Sequence, residues 1–307
     1  MSTQARNRDL AAAGRGHWWA WIDARLPQIV VAPSLAASLL FVYGFIAWTV
    51  YISFTRSGVL PRYDIKGLLQ YERLWDTPRW YVAIENLFVF GGLFIAGCMA
   101  IGIILAILLD QRIRAEGLIR TIYLYPMALS FIVTGTAWKW ILNPGLGIEQ
   151  LVQGWGFTGF EFNWLVDRDM AIYTVVIAGI WQSSGFVMAL FLAGLRSVDD
   201  EIFKAAAIDG ASLPRIYTTI ILPALRPVFL SALVVLAHLA IKSFDLVIAL
   251  TGGGPGVATD LPATFMYAMA FQRSELGLAA ASAVMMLVTI FAIIIPYLYS
   301  ELRGARR

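Results

Sequence analysis

Six predominantly apolar runs, each at least 23 residues long, constrain this chain more than any other feature. They cover residues 28–54, 86–109, 119–142, 170–195, 228–250 and 276–298. A helix needs ~20 apolar residues to cross the ~30 Å hydrocarbon core of a bilayer. Inside that core only a helix satisfies its own backbone groups over a single segment. The runs therefore predict an all-α integral membrane protein with six transmembrane helices. Composition agrees, since 59% of the 307 residues are hydrophobic and 14% are charged, against about 25% charged in soluble domains. The first run exceeds the ~7–15 apolar residues of a secretory signal. It follows a polar leader, residues 1–27, with four arginines and a cluster of tryptophans. That leader reads as a cytoplasmic tail with an interfacial aromatic anchor.

Orientation follows from Lys and Arg in the connections. One side collects fourteen, from the N-terminal tail, residues 110–120, 196–227 and the C-terminal tail (residues 301–307). The other collects seven, from residues 55–85, 143–169 and 251–275. The richer side is expected to be cytoplasmic, which puts both termini inside. The net charge of +3 then reflects topology rather than a nucleic-acid surface. Cys98, the only cysteine, lies within the second run and has no partner for an intramolecular disulfide.

The connection at residues 197–223 is built unlike the others. Ser197 or Asp199 can cap a short helix through "SVDDEIFKAAAID", whose acidic first turn suits the helix dipole. Gly210 sits where a left-handed residue would close that helix. Ser212 can cap a second helix with Pro214 in its first turn. Ala205, Ala206 and Ala207 give the first helix a small, flat surface that another backbone can approach.

The spacing of Ala205, Ala206, Gly210, Ile220, Leu222 and Pro223 resembles the E-A-A-x3-G-x9-I-x-L-P loop of permease subunits of binding-protein-dependent ABC importers. Lys204 stands where that pattern has glutamate. "YLYPMALSFIVTGTAWKWILNPGLG", "WQSSGFVMALFLAGLRSVDDEIFKAA" and "SFDLVIALTGGGPG" are similar to sugar permeases of the maltose type, and most similar to glucose/mannose or α-glucoside permeases. The resemblance implies the type I ABC importer permease fold over residues 28–300, in a bacterial inner membrane. It implies that Lys204, Ala205, Ala206, Asp209, Gly210, Ile220, Leu222 and Pro223 dock onto an ATPase subunit. The implied partners are a second homologous permease, two ATPase subunits, a periplasmic sugar-binding protein and a sugar. No cofactor is expected on this chain, with ATP and Mg held by the partner ATPases. The sequence has no G-x-x-x-x-G-K-[ST], and "TGGGPG" lacks the lysine a phosphate-cradling loop needs.

Within the fifth run His238, Lys242 and Asp245 stand at i, i+4 and i+7, on one face of a continuous helix, with Ser231 extending the stripe. Charges at such depth face protein or water. They could line a sugar path, or Lys242 and Asp245 could pair and fix packing. Carrying over the sugar-facing positions of the maltose-type permeases lands instead on Leu239, Ala240 and Ser243. In the fourth run Trp181 could stack on a sugar ring and Gln182 could bind hydroxyls, or Gln182 and Ser183 could bond neighbouring helices. An aromatic belt with a snorkelling lysine accounts for Trp138, Lys139 and Trp140. Pro126 and Pro296 are expected to kink their helices. The loops at residues 55–85 and 143–169 are long enough to meet a binding protein. A proton-driven carrier using His238, Lys242 and Asp245, or a permease for polyols, are the alternatives. An enzyme is disfavoured, because neither H-E-x-x-H nor G-x-S-x-G occurs and the histidines are only His17 and His238.

Overall fold

The computed structural model describes residues 17–111 and 113–304, which are helical with no strand among them. Residues 1–16 and 305–307 of the two expected tails lie outside the described residues. The chain divides into two units, Met1–Tyr51 and Ile52–Arg307. In the first, α1 (His17–Ser38) runs through a wide turn, Leu39–Tyr43, into α2 (Gly44–Ser53). Helix thus begins within the expected leader, eleven residues before the first apolar run. None of the residues in its most hydrophobic stretch, within Arg25–Ser53, is fully buried.

The second unit is organised around two long helices, α4 (Pro78–Asp110) and α8 (Ala171–Leu195), with the short α7 (Ile148–Gly154) preceding α8. After the short α3 (Leu69–Trp75), Pro78 opens α4 (Pro78–Asp110) at a position where the missing N–H costs nothing. At 33 residues α4 is about 50 Å long. It packs lengthwise on α8 (Ala171–Leu195), with Phe90, Phe94, Cys98, Ala106 and Leu109 meeting Val175, Val187, Met188 and Phe191 in one core. Gly102 allows this approach, since a Cβ there would come within 2.6 Å of Val187. The most apolar stretch of α8 is 67% buried, whereas those of α4 and α12 (Leu276–Gly304) are 28% buried. Helix α8 is central, and the other two turn apolar surface outwards. Exposed apolar surface on this scale belongs against lipid or another subunit.

Two of the six expected spans are not straight helices. The third consists of α5 (Glu116–Leu124), a tight turn at Tyr125–Ala128 and α6 (Phe131–Ile141), with a bend of 102°. Pro126 lies in that turn, Leu129 is extended, and the Ser130 hydroxyl accepts from the Val133 N–H to restart the helix. The expectation of a kink at Pro126 therefore becomes a full break. Helix α12, by contrast, continues through Pro296.

The fifth span is reached from residues 213–224 across a 69° bend at Leu225 and carries α10 (Arg226–Ile241). It stops at Lys242–Phe244 and restarts as α11 (Asp245–Leu250), which packs along α6. Four helices among the described residues are long and apolar enough to cross a membrane, and the number rises to as many as six if each bent pair is one span.

Candidate functional site

The 197–223 connection folds as a short helix held between α8 and the approach to α10. Asp199 is the residue that caps α9 (Asp200–Ile208), its carboxylate accepting from the Glu201 N–H at 2.9 Å. The Ser197 hydroxyl instead donates to the Gly194 carbonyl, closing the end of α8. Past α9, Gly210 has φ +79°. Its N–H reaches the Ala207 carbonyl at 3.1 Å, and the Ala211 N–H reaches Ala206 at 3.0 Å. Those two bonds make a Schellman closure, which needs a left-handed residue at Gly210. Ser212 stands at the start of the next helical turn, but its side chain makes no capping bond, so the expected cap there is positional only.

This closure fixes which face α9 presents. Ala206 is buried and Phe203 partly so, while Lys204, Ala205, Ala207 and Asp209 are exposed and Ile208 is 85% exposed. The expected flat alanine surface is thus Ala205 and Ala207 without Ala206. Further along, Ile220 and Pro223 are exposed and Leu222 is half-buried. An isoleucine so exposed, on a rigidly capped helix outside the apolar spans, suits insertion into a partner's cleft.

The expected polar stripe of the fifth span is not assembled. The helix ends between His238 and Asp245, so the three residues do not share one face. His238 lies against α12 in a tight crevice with Ile290, Ile293 and Ile294. No Lys242–Asp245 ion pair forms among the described residues. The two charges punctuate the break instead, Lys242 at the C-terminal end of α10 and Asp245 in the first turn of α11, each where the helix dipole favours it.

What the break does create is a small cavity of ≈ 120 Å³, lined by Phe131, Leu239, Lys242, Ser243, Phe244, Asp245 and Leu246. It joins part of the stripe to two of the positions carried over from maltose-type permeases. The third, Ala240, is buried in the core. Its wall is positioned from α8: the Gln182 amide donates to the Leu129 carbonyl at 2.9 Å, two residues before Phe131. Gln182 is 3% exposed and its Oε1 has no hydrogen-bond partner among the described residues. Its bond to the broken third span joins two helices, one of the two roles expected of it. Gly185 completes the joint, since a Cβ there would overlap the Tyr123 carbonyl. Trp181 meets Trp138 edge-on, ring centroids 5.9 Å apart, while Lys139 and Trp140 stay exposed.

Two polar joints carry no motif. One is a polar recess of ≈ 820 Å³ beside α9, where the Tyr217 hydroxyl donates to Asp110 at 2.8 Å and Arg196 pairs with Glu116 at 2.7 Å. At the other end of α4, Arg79 pairs with the buried Asp260, and the Asn86 amide donates to the Ala258 and Asp260 carbonyls. Nothing at "TGGGPG" suggests a phosphate cradle: Gly253 is buried with Asp260 Oδ1 beside it, and the Thr259 hydroxyl binds Gly254.

Comparison with known proteins agrees with this architecture. Residues 98–304 match the family described as binding-protein-dependent transport system inner membrane component. A probable ABC transporter permease protein of Pyrococcus horikoshii is 39% identical over 286 residues, covering 92% of this chain and 98% of that one. The xylose/arabinose import permease protein XacH of Haloferax volcanii is 40% identical over 266 residues, covering 85% of this chain and 83% of the relative. The fold also matches the crystal structure of a bacterial alginate ABC transporter in complex with an alginate pentasaccharide-bound periplasmic protein. The TM-score is 0.79 at 20% identity, covering 91% of this chain and 95% of that one. The chain is an ABC importer permease subunit, not itself an enzyme, and it belongs to the family of binding-protein-dependent transport system inner membrane components.

Proposed function

We propose that this chain forms one half of the sugar pathway of an ATP-driven importer in the cytoplasmic membrane of a bacterium. Residues 28–300 form six spans, each bent helix pair counting as one crossing, with residues 1–27 and 301–307 as cytoplasmic tails. A second, homologous permease supplies the other wall of the pathway. Two ATPase subunits bind ATP and Mg, and a periplasmic binding protein delivers the sugar. The single observation that carries this reading is α9, a capped helix with Ile208 displayed on the side richer in Lys and Arg.

Mechanically, ATP-driven closure of the ATPases displaces α9 and Asp209–Pro223. The helices that flank the loop, α8 before it and α10 after it, follow. Lys204, standing where the family pattern has an acid, offers the ATPase a positive contact in place of a negative one. Sugar is supported by the XacH relative, whose name specifies pentose import, and by the chemistry of the 120 Å³ cavity. There Asp245 accepts from hydroxyls, Lys242 donates to them, and Ser243 does either. Leu239 and Phe131 supply apolar surface for the sugar's C–H face.

Replacing Gly210 tests this directly. Proline fixes φ near −65°, whereas Gly210 needs +79°. Gly210→Pro is expected to abolish ATP-dependent sugar uptake in a strain lacking the native chain, with the protein still present in the membrane. Retained uptake would overturn the assignment of this loop as the coupling element.

A further inference from the structure

Tyr217 lies inside the nine-residue gap of the loop pattern, where the motif prescribes nothing. It is 6% exposed and has three distinct partners. Its ring packs edge-on against Phe203 of α9, with centroids 5.8 Å apart. Its hydroxyl donates to Asp110 Oδ2 at 2.8 Å and accepts from Gln111 Nε2 at 2.8 Å. Asp110 is the last residue of α4 and Gln111 caps it. One side chain therefore packs on the docking helix and is bonded to the end of the longest span.

Apart from α8, which leads into α9 and packs along α4, little else among the described residues connects these two elements. Of α9, only Ala206 is buried and only Phe203 is partly buried among the residues whose side chains are described. Helix α4 has no proline inside it, and it is closely packed on α8 along its length. A displacement received at Asp110 therefore moves α4 as a rod. At the rod's far end, Arg79 and Asn86 hold the 258–260 segment.

We propose that Tyr217 is a positioning residue that transmits displacement of α9 to α4 through its bonds to Asp110 and Gln111. The ATPase then drives α4 and α8 together, rather than only the helices joined covalently to the loop. The inference rests on the coupling role proposed above and adds a second, non-covalent route through it. A hydroxyl is needed for that route; a ring alone would serve simple packing.

The test uses the whole assembly in proteoliposomes: this chain, its partner permease, the ATPases and the binding protein. Sugar taken up per ATP hydrolysed is measured for wild type, Tyr217→Phe, Asp110→Ala and the double variant. Tyr217→Phe keeps the ring against Phe203 and loses only the hydroxyl. The expected result is a fall of about fivefold or more in sugar per ATP, the lower end of ordinary coupling factors. Bound ATPase and melting temperature stay at wild-type values. The double variant is no worse than either single one, as expected for one shared interaction. A wild-type ratio in Tyr217→Phe overturns the inference. So does a loss of bound ATPase or of melting temperature at an unchanged ratio, which would make the tyrosine a docking or packing residue. Gly210→Pro in the same assay separates the two ideas. If it transports normally, the coupling reading fails, whereas a dead Gly210→Pro beside a wild-type Tyr217→Phe sinks only the tyrosine.

Discussion

At the scale of single residues, the charges near the membrane interior are decided by helix ends rather than by helix faces. Lys242 and Asp245 would be expensive in the middle of a continuous apolar helix. Placed at the end of α10 and the start of α11, each meets the half of the backbone dipole that suits it, and both remain exposed at the small cavity. Ser243, between them, is half-buried and contributes the remaining hydroxyl. A carboxylate that accepts from a sugar hydroxyl contributes about 1.5–3 kcal/mol. Asp245→Asn keeps the shape and removes the charge. It is expected to raise the sugar concentration for half-maximal uptake by roughly tenfold or more, the equivalent of about 1.4 kcal/mol, with the ratio of sugar to ATP unchanged. An initial-rate series over sugar concentration checks this, and an unchanged half-saturation would remove Asp245 from the pathway.

At the scale of elements, the broken third span depends on what α8 offers it. A helix interrupted at Tyr125–Ala128 leaves carbonyls without helical partners, and these must be met by neighbours. Gln182 meets one of them at Leu129, and Gly185 makes room for the backbone at Tyr123. "WQSSG" is thus a socket for a bent helix before it is anything else. Gly185→Val places a Cβ within 1.9 Å of the Tyr123 carbonyl oxygen, and backbone cannot swing aside as a side chain can. The expected cost is about 1–3 kcal/mol or more, read as a lower melting temperature in detergent and a poor yield of folded protein. Unchanged stability would mean that α5 and α8 can separate freely, against the close approach seen here. Helix α6 then packs along α11, so the break in the third span and the break in the fifth face each other.

At the scale of the whole second unit, residues far apart in sequence are tied together at both ends of α4. One end carries the Tyr217 bonds to Asp110 and Gln111, and the other carries Arg79 with Asp260 and Asn86 with the Ala258 and Asp260 carbonyls. The Asp260 side chain is 2% exposed and that of Arg79 is 20% exposed, so neither is well solvated. Removing one member of such a pair leaves an uncompensated buried charge, at about 3–5 kcal/mol. Asp260→Ala is expected to lose that much stability, and the double substitution Arg79→Leu with Asp260→Leu to recover part of it. Thermal unfolding of the purified chain in detergent measures both. A double variant no more stable than Asp260→Ala would show that the loss does not come from an unpaired Arg79 charge.

How much was legible beforehand follows physical range. Hydropathy is summed over ~20 neighbouring residues, so the membrane class and the positions of the apolar runs were readable locally. Caps and closures act within one turn, so Asp199 and Gly210 could be placed from residue type and spacing. Where a helix breaks inside an apolar run is different. Ile241–Asp245 contains neither glycine nor proline, and only the pairing of a lysine with an acid three residues later hinted that α10 stops there. Periodicity, applied to a helix taken as continuous, consequently put His238, Lys242 and Asp245 on one face of a single helix. Asp110, Leu129 and Arg79, which bond Tyr217, Gln182 and Asp260, lie 53 to 181 residues away from them in the chain. The sequence by itself determined that this chain is a helical membrane protein whose 197–223 connection holds a short helix capped by Asp199 and closed at Gly210, because those properties come from local chemistry. Only the tertiary structure decided which helices bend, which polar groups meet and which residues face the cavity, because those depend on backbones brought together from distant parts of the chain.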